Sequence, residues 1–177
     1  AMRALSPKPG EVVLDIGCGP GATTLQLAEA VGPNGSVLGA DISATLLAAA
    51  RARPDAPANV RFAEADAQTF DFGAGRFDAV FSRFGVMFFA DPAAAFANIR
   101  RAVKPGGRIA FVCWRRPDEN PIMTLPMAAA LAHVQPPPPP DPDPVQLQIE
   151  APPANGGICG LYLMVRSFQT LNTLDQA

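Results

Sequence analysis

Five short apolar segments rich in β-branched residues, alternating with stretches of helical spacing, leave this chain few architectures. "EVVLDIG", "VLGADIS", "NVRFAEAD", "RFDAVFSRFG" and "RIAFVCW" read as strands. "GATTLQLAEAV" and "ATLLAAARAR" read as helices, the first closed by Gly32 and the second stopped before Pro54. "DPAAAFANIRRAVKPGG" is predicted as a third helix, with Asp91 as N-cap, Pro92 in the first turn and glycines at its end. Strands this apolar are covered on both faces, which implies a parallel sheet between helical layers. Right-handed crossovers then make it doubly wound. With 177 residues, of which 49% are hydrophobic and 17% charged, the chain supplies one domain with a packed core.

Such sheets take their ligand outside the carboxyl ends of the strands, where the strand order reverses. The first strand runs into "VVLDIGCGPGATT", in which Gly17, Gly19 and Gly21 punctuate a turn that opens a helix. The turn lacks the Lys-Ser/Thr of a phosphate-cradling P-loop. Three acids, Asp15, Asp41 and Asp66, fall at the ends of three successive predicted strands. Acids also end strands simply because they favour turns. Here each has a chemical task. Asp41 stands about 20 residues beyond the glycine turn, where an acid meets ribose hydroxyls. Asp66 is placed for an adenine amine, with the Ala67 amide donating to a ring nitrogen. Asp15 would repel a pyrophosphate but suits an amino group and a sulfonium. S-adenosylmethionine has both, and its single carboxylate suits a helix N-terminus.

The ordered series "VLDIGCGPG", "GADIS", "AEADAQTF", "FDAVFSRFGVMFF" and "AVKPGGRIAFVCW" resembles the class I S-adenosylmethionine-dependent methyltransferases. The likeness covers roughly residues 8 to 135 and is greatest to the small-molecule, ubiquinone/menaquinone C-methyltransferase-like and "type 11" branch. "GCGPGA" alone also fits the dinucleotide pattern; five motifs in order are far more specific. The resemblance and the strand pattern together imply an α/β, Rossmann-like doubly wound parallel sheet of order 3-2-1-4-5. They imply S-adenosyl-L-methionine as cofactor and a small-molecule methyl acceptor as partner. Asp15, Gly17, Cys18, Gly19 and Gly21 would line the methionine moiety, and Asp41 with Ile42 would hold ribose and adenine. Asp66 and Ala67 would meet the adenine edge, while Ser82, Arg83 and Phe84 would close over the methionine side. No catalytic residue is assigned.

The chain departs from the family at both ends. The family carries a helix before its first strand, whereas this chain starts almost at the strand; the family's C-terminal strand pair is also not evident here. The expected organisation is a methyltransferase domain over residues 1–134, N-terminally truncated, a proline-rich linker over 135–144 and an atypical tail over 145–177. Loss of both ends suggests a fragment or an altered reading frame. Many of the twenty prolines crowd between Pro136 and Pro153 as an extended spacer. "ENPIMTLPMAAALAHV" is predicted as a helical excursion broken or begun anew at Pro126. The apolar run Ile158–Val165 is predicted either to pair with the otherwise exposed edge of "RIAFVCW" or to be disordered.

Composition narrows the partners. A net charge of −2 and a pI near 5.3 argue against nucleic acid. No apolar run approaches the ~20 residues of a membrane span. The opening lacks a secretory apolar region, and Cys18, Cys113 and Cys159 have no metal-ligand spacing. A cytoplasmic chain without a metal is expected. Several residues keep two readings. Arg83 either pairs with a carboxylate or caps the rim. His133, the sole histidine, is either a general base or a helix-end residue. Gly85–Phe89 and Trp114 form either an apolar substrate wall or core. Two rival functions stand beside methyl transfer: an NAD(P)-dependent oxidoreductase, which leaves Asp15 and Asp66 unexplained, and a methyltransferase-like domain that binds without catalysis.

Overall fold

The computed structural model describes residues 1–114, 120–131 and 133–134, and the backbone of 161–167. Within them lies a six-stranded sheet of order β3-β2-β1-β4-β5-β6. Strands β1 (Val12–Ile16), β2 (Ser36–Asp41), β3 (Val60–Glu64), β4 (Phe77–Arg83) and β5 (Val103–Trp114) are parallel. The predicted order 3-2-1-4-5 is therefore the observed one. Central β1 pairs with β2 from Val12↔Ser36 to Ile16↔Ala40, and with β4 from Val13↔Ala79 to Ile16↔Ser82.

The period-2 alternation of β1 sorts the core into two layers. Val13 points into a cluster with Leu5, Leu27, Val31, Val37 and Phe81, which α2 (Ala22–Val31) covers. Leu14 and Ile16 point the other way, among Phe77, Val80, Ile99, Ile109 and Phe111, beneath α4 (Pro92–Ala102). Each helix buries the stripe its spacing dictates: Thr24, Leu27, Ala28 and Val31 in α2, and Ala95, Ile99 and Ala102 in α4. Asp91 accepts from the Ala94 amide at 2.9 Å with Pro92 at the first position of α4, as predicted. Ser43 caps α3 (Ala44–Arg51) by accepting from the Leu46 amide.

Three expectations are amended and one alternative is decided. A single turn of helix, α1 (Met2–Leu5), precedes β1 and buries Leu5 completely, so the segment before the first strand is not bare. "KPGG" is not a helix end, because β5 already starts at Val103 opposite Phe77; the ladder resumes at Ala79↔Arg108 and the intervening residues bulge out. Helix α5 (Pro121–Leu131) runs through Pro126 without a break, although an interior proline costs a helix a ladder bond and about 3 kcal/mol. Past β5, β6 (Leu161–Ser167) pairs antiparallel with it, from Trp114↔Leu161 to Arg108↔Ser167. The alternative in which the Ile158–Val165 run pairs with the fifth strand is thus observed from Leu161 onward; residues 158–160 lie outside the described residues. One strand, not a pair, follows β5 among the described residues. The proposed linker and most of the tail also lie outside them.

Arg108 ties this architecture to its N-terminal side. Its Nη1 and Nη2 donate to the Glu11 carboxylate at 2.8 and 2.7 Å, Nε to the Leu5 carbonyl at 2.7 Å, and Nη2 again to the Ser6 carbonyl at 2.8 Å. Burial pushes the Glu11 carboxyl up, but the Arg108 guanidinium and the Lys8 amide outweigh it, and the net shift is downward. An acid whose folded pKa lies below its unfolded value stabilises the fold above that unfolded value and loses this as pH falls through the folded one. Arg108→Ala is therefore expected to cost about 2–4 kcal/mol at pH 7, as for a broken, partly buried ion pair. Urea denaturation should also find that wild type loses part of this advantage over the variant below pH 4.5.

Candidate functional site

The carboxyl ends of β1, β2, β3 and β4 share one rim, and the predicted residues gather there to different degrees. Asp15 is the penultimate residue of β1, not its end, and is fully buried. Strand alternation turns it toward α2, where Thr23 and Thr24 donate their hydroxyls to Oδ2 at 2.8 and 2.7 Å. The buried Oδ1 has no hydrogen-bond partner. Burial pushes the carboxyl up to about 6, against the pull of both hydroxyls and of the Arg83 charge. An ionised oxygen left unpaired in the interior is a standing cost unless a donor reaches it.

Asp41 ends β2 and has a duty that its sequence position did not reveal. Its Oδ2 accepts from the Gly19 amide and its Oδ1 from the Ser43 amide, each at 2.8 Å. One carboxylate thus fixes both the glycine turn and the start of α3. Each oxygen keeps lone-pair capacity for a further donor.

The turn itself depends on backbone approach. A Cβ on Gly17 would lie 2.6 Å from the Gly85 Cα, and one on Gly85 would lie 2.8 Å from the Gly17 Cα. The two backbones touch, and neither position admits a side chain. Gly19 is different: it holds φ +53° with nothing nearer than Leu46 at 4.0 Å, so its outer side is open. Cys18 is buried, and burial pushes its thiol up to about 12, which suits a packing residue and not a nucleophile.

Asp66 lies two residues past β3. It accepts from the Gln68 amide at 2.8 Å and from the Gln68 side chain, while the Gln68 Oε1 accepts from the Asp91 amide. Beside it opens a cleft of about 300 Å³ lined by Ile42, Glu64, Ala65, Asp66, Thr69 and Phe70. Ile42 is 70% exposed at the mouth of this cleft. A larger cleft of about 760 Å³, on the side of α2 around Gln26, Glu29 and Asn59, contains none of the predicted residues.

At the end of β4 the predicted trio divides. Ser82 is fully buried, opposite Ile16, and its Oγ has no hydrogen-bond partner. Arg83 is exposed and acts on Asp15 through its charge. Phe84 holds φ +68° and stacks on Trp114. The segment Gly85–Phe88 is a turn of 3-10 helix in which Val86 is core, while Met87 and Phe88 are exposed. His133, two residues past α5, is exposed, as a helix-end histidine would be.

Sequence reasoning missed Thr23, Thr24, Phe70 and the backbone contact of Gly85. The threonines were detectable as two hydroxyls in the first turn of the helix that covers Asp15. Gly85 was detectable only as an isolated glycine after a strand.

The family model described as "Methyltransferase domain" matches residues 13–107. The chain belongs to this methyltransferase-domain family. The matched region takes in the glycine turn, Asp41, Asp66 and the β4 rim. The methyltransferase domain is 34% identical over 113 residues to the demethylmenaquinone methyltransferase of Lactococcus lactis subsp. lactis, covering 63% of this chain and 45% of that protein. It is 32% identical over 127 residues to the 2-phytyl-1,4-naphtoquinone methyltransferase of Trichormus variabilis, covering 70% and 56%. It resembles the crystal structure of an S-adenosylmethionine-dependent methyltransferase from Mesorhizobium loti with a TM-score of 0.57 and 30% identity, over 64% of this chain and 52% of that one. These matches put it in the class I, S-adenosylmethionine-dependent, quinone-methyltransferase-like branch. The chain spans about half the length of these two curated relatives.

The residues present fit the family's cofactor. Two buried polar atoms, Asp15 Oδ1 and Ser82 Oγ, have no protein partner, and the turn between them excludes side chains. The ligand-free domain is expected to lose stability as pH rises. A carboxyl that titrates at about 6 when folded and near 3.9 when unfolded costs nothing at low pH, and about 3 kcal/mol once both states are ionised. Asp15→Asn should recover much of that at pH 8 and little at pH 4, measured by urea denaturation at the two pH values.

Proposed function

We propose that this chain binds S-adenosylmethionine along the carboxyl ends of β1 to β4 and transfers its methyl group to a small-molecule acceptor. The observation that carries the reading is the unpartnered Oδ1 of fully buried Asp15. A carboxylate there needs a positively charged or strongly donating ligand group, and the amino group of a methionine moiety is one. Thr23 and Thr24 hold Asp15 by its other oxygen and so aim the free one. The backbone of Gly17, Cys18, Gly19 and Gly21 would lie against the methionine and ribose. Asp41 would accept from the ribose hydroxyls with its remaining lone pairs. Ile42 and Phe70 would enclose the adenine in the cleft that Asp66 borders, with the amide of buried Ala67 beside it. Ser82 and Arg83 would close the methionine end, Arg83 facing its carboxylate.

When bound, the cofactor supplies a methyl group activated by a sulfonium, and its transfer is an in-line displacement. The part of this chain is then to bind, align and exclude water, tasks that need no nucleophile of its own. This fits a rim with no activated cysteine, and no side chain is given the role of base. The acceptor is read as small because the domain resembles quinone methyltransferases, and the acidic balance of the chain does not favour nucleic acid. Among the described residues no helix is long and apolar enough to cross a membrane. A cytoplasmic location completes the proposal, supported by buried free thiols at Cys18 and Cys113.

Calorimetry tests the reading. S-adenosylmethionine should bind and NAD should not; the reverse result would make the chain an oxidoreductase. Asp41→Ala should weaken S-adenosylmethionine and S-adenosylhomocysteine alike, by about 1.5–3 kcal/mol for lost charged hydrogen bonds. A loss of less than about twofold would remove Asp41 from the ribose site. Release of S-adenosylhomocysteine in the presence of a mixed metabolite extract separates an enzyme from a binding domain.

A further inference from the structure

The segment that carries Asp66 lies outside every strand and helix, yet α4 holds it from behind. After β3 the chain makes one tight turn, in which the Thr69 and Phe70 amides donate to the Asp66 carbonyl at 3.1 and 2.8 Å. The carbonyls of Ala67 and Phe70 find their donor on α4: Asn98 Nδ2 donates to them at 2.9 and 2.8 Å. A primary amide nitrogen has two hydrogens, and here each meets a carbonyl. The amide oxygen is held as well, since Arg101 Nη2 donates to Asn98 Oδ1 at 2.9 Å. With a donor at Oδ1 and two acceptors at Nδ2, the side chain fits one way round only.

A second link joins the same turn to the start of α4. Gln68 Nε2 donates to the two oxygens of Asp66 at 3.2 and 3.0 Å, and the Gln68 amide donates to Oδ1 at 2.8 Å. Gln68 Oε1 accepts from the amide of Asp91, the N-cap of α4. Asp66 thus receives three hydrogen bonds on about four lone-pair positions, and the open position is on Oδ2. A carboxylate in that state receives a ligand donor from one direction. The turn sets that direction, and α4, seated in the core through Ala95, Ile99 and Ala102, sets the turn. Asn98 itself does not line the cleft beside Asp66. Its influence on a ligand there passes through the turn.

We propose that Asn98 is a positioning residue of the cofactor site, aiming the Asp66 carboxylate and the Ala67 amide so that they select a 6-amino purine over a 6-oxo purine. The inference rests on the S-adenosylmethionine reading. A 6-amino purine offers a donor to Asp66 and a ring-nitrogen acceptor to the Ala67 amide. A 6-oxo purine reverses both, setting a carbonyl against the carboxylate and an N–H against an N–H. Groups left unpaired in this way cost more than the bonds they replace. The selection requires both protein groups to stand at a fixed spacing. One Asn98 bond is to Ala67 itself, and the other is to Phe70, which lines the cleft.

Calorimetry with S-adenosylhomocysteine and S-inosylhomocysteine tests this, because the two differ only at the 6-position edge of the purine. Wild type should prefer the adenine compound by roughly ten- to hundredfold, the range of one hydrogen bond to a charged group. Asn98→Ala should lower that ratio by roughly three- to tenfold, the range of a neutral hydrogen bond. Asn98→Asp, which keeps the shape but sets an oxygen against the two carbonyls, should lower it at least as far. Ala97→Gly weakens the same helix at an exposed position and should leave the ratio unchanged, as a purely structural effect would. The proposal is overturned by an unchanged ratio in either Asn98 variant, by an equal fall in Ala97→Gly, or by no adenine preference in wild type. If wild type fails to take S-adenosylhomocysteine, the parent reading fails and this inference falls with it; if it does take it, the ratio judges the inference alone.

Discussion

The contact between the Gly17 and Gly85 backbones sets the geometry of everything at the rim. Adjacent strands of a parallel sheet lie about 4.8 Å apart, and the turns leaving β1 and β4 are normally kept separate by their side chains. Here a Cβ on either residue would fall within 2.6–2.8 Å of the other's backbone. With both side chains absent, the two turns close on each other. That closure brings the glycine turn, Ser82 and Phe84 to one place, although Gly17 and Phe84 are far apart in sequence.

The acids around this contact serve the apo fold unequally. Asp41 stabilises it, since its two oxygens hold the Gly19 and Ser43 amides. Asp15 opposes it, being ionisable, fully buried and satisfied on one oxygen only. A packed leucine or valine in its place would suit the core better. Retaining a buried acid there fits a position chosen for a ligand at the expense of stability. The same division separates Val86, which fills the core, from Met87 and Phe88, which the same turn leaves in solvent.

Local patterns made much of the fold legible. Apolar runs, helical spacing, and the Asp91-Pro92 start each report a short-range preference that the tertiary structure upholds. The placement of Asp15, Asp41 and Asp66 near one rim followed from the parallel topology. What stayed hidden depends on residues distant in sequence or on backbone angles. Glu11 and Arg108 are 97 positions apart, and neither has a local signal for its partner. The left-handed backbone of Phe84 contradicts the preference of its residue type. Asp41 looked like a ligand residue, and its grip on Gly19 appears only when β1 and β2 are side by side. "KPGG" reads as the end of a helix, and only the bulged ladder opposite Phe77 makes it part of a strand.

The anchoring of the first turn by Arg108 has a consequence for the order in which the molecule is made. Helix α1 has four residues, too few to persist alone in water, and its seat includes a guanidinium encoded about a hundred codons later. Ribosomes add about 5–20 residues per second. Roughly 5–20 s therefore separate the synthesis of this turn from that of its partner. Until then Leu5, which ends completely buried, lacks the contacts that Arg108 gives its turn.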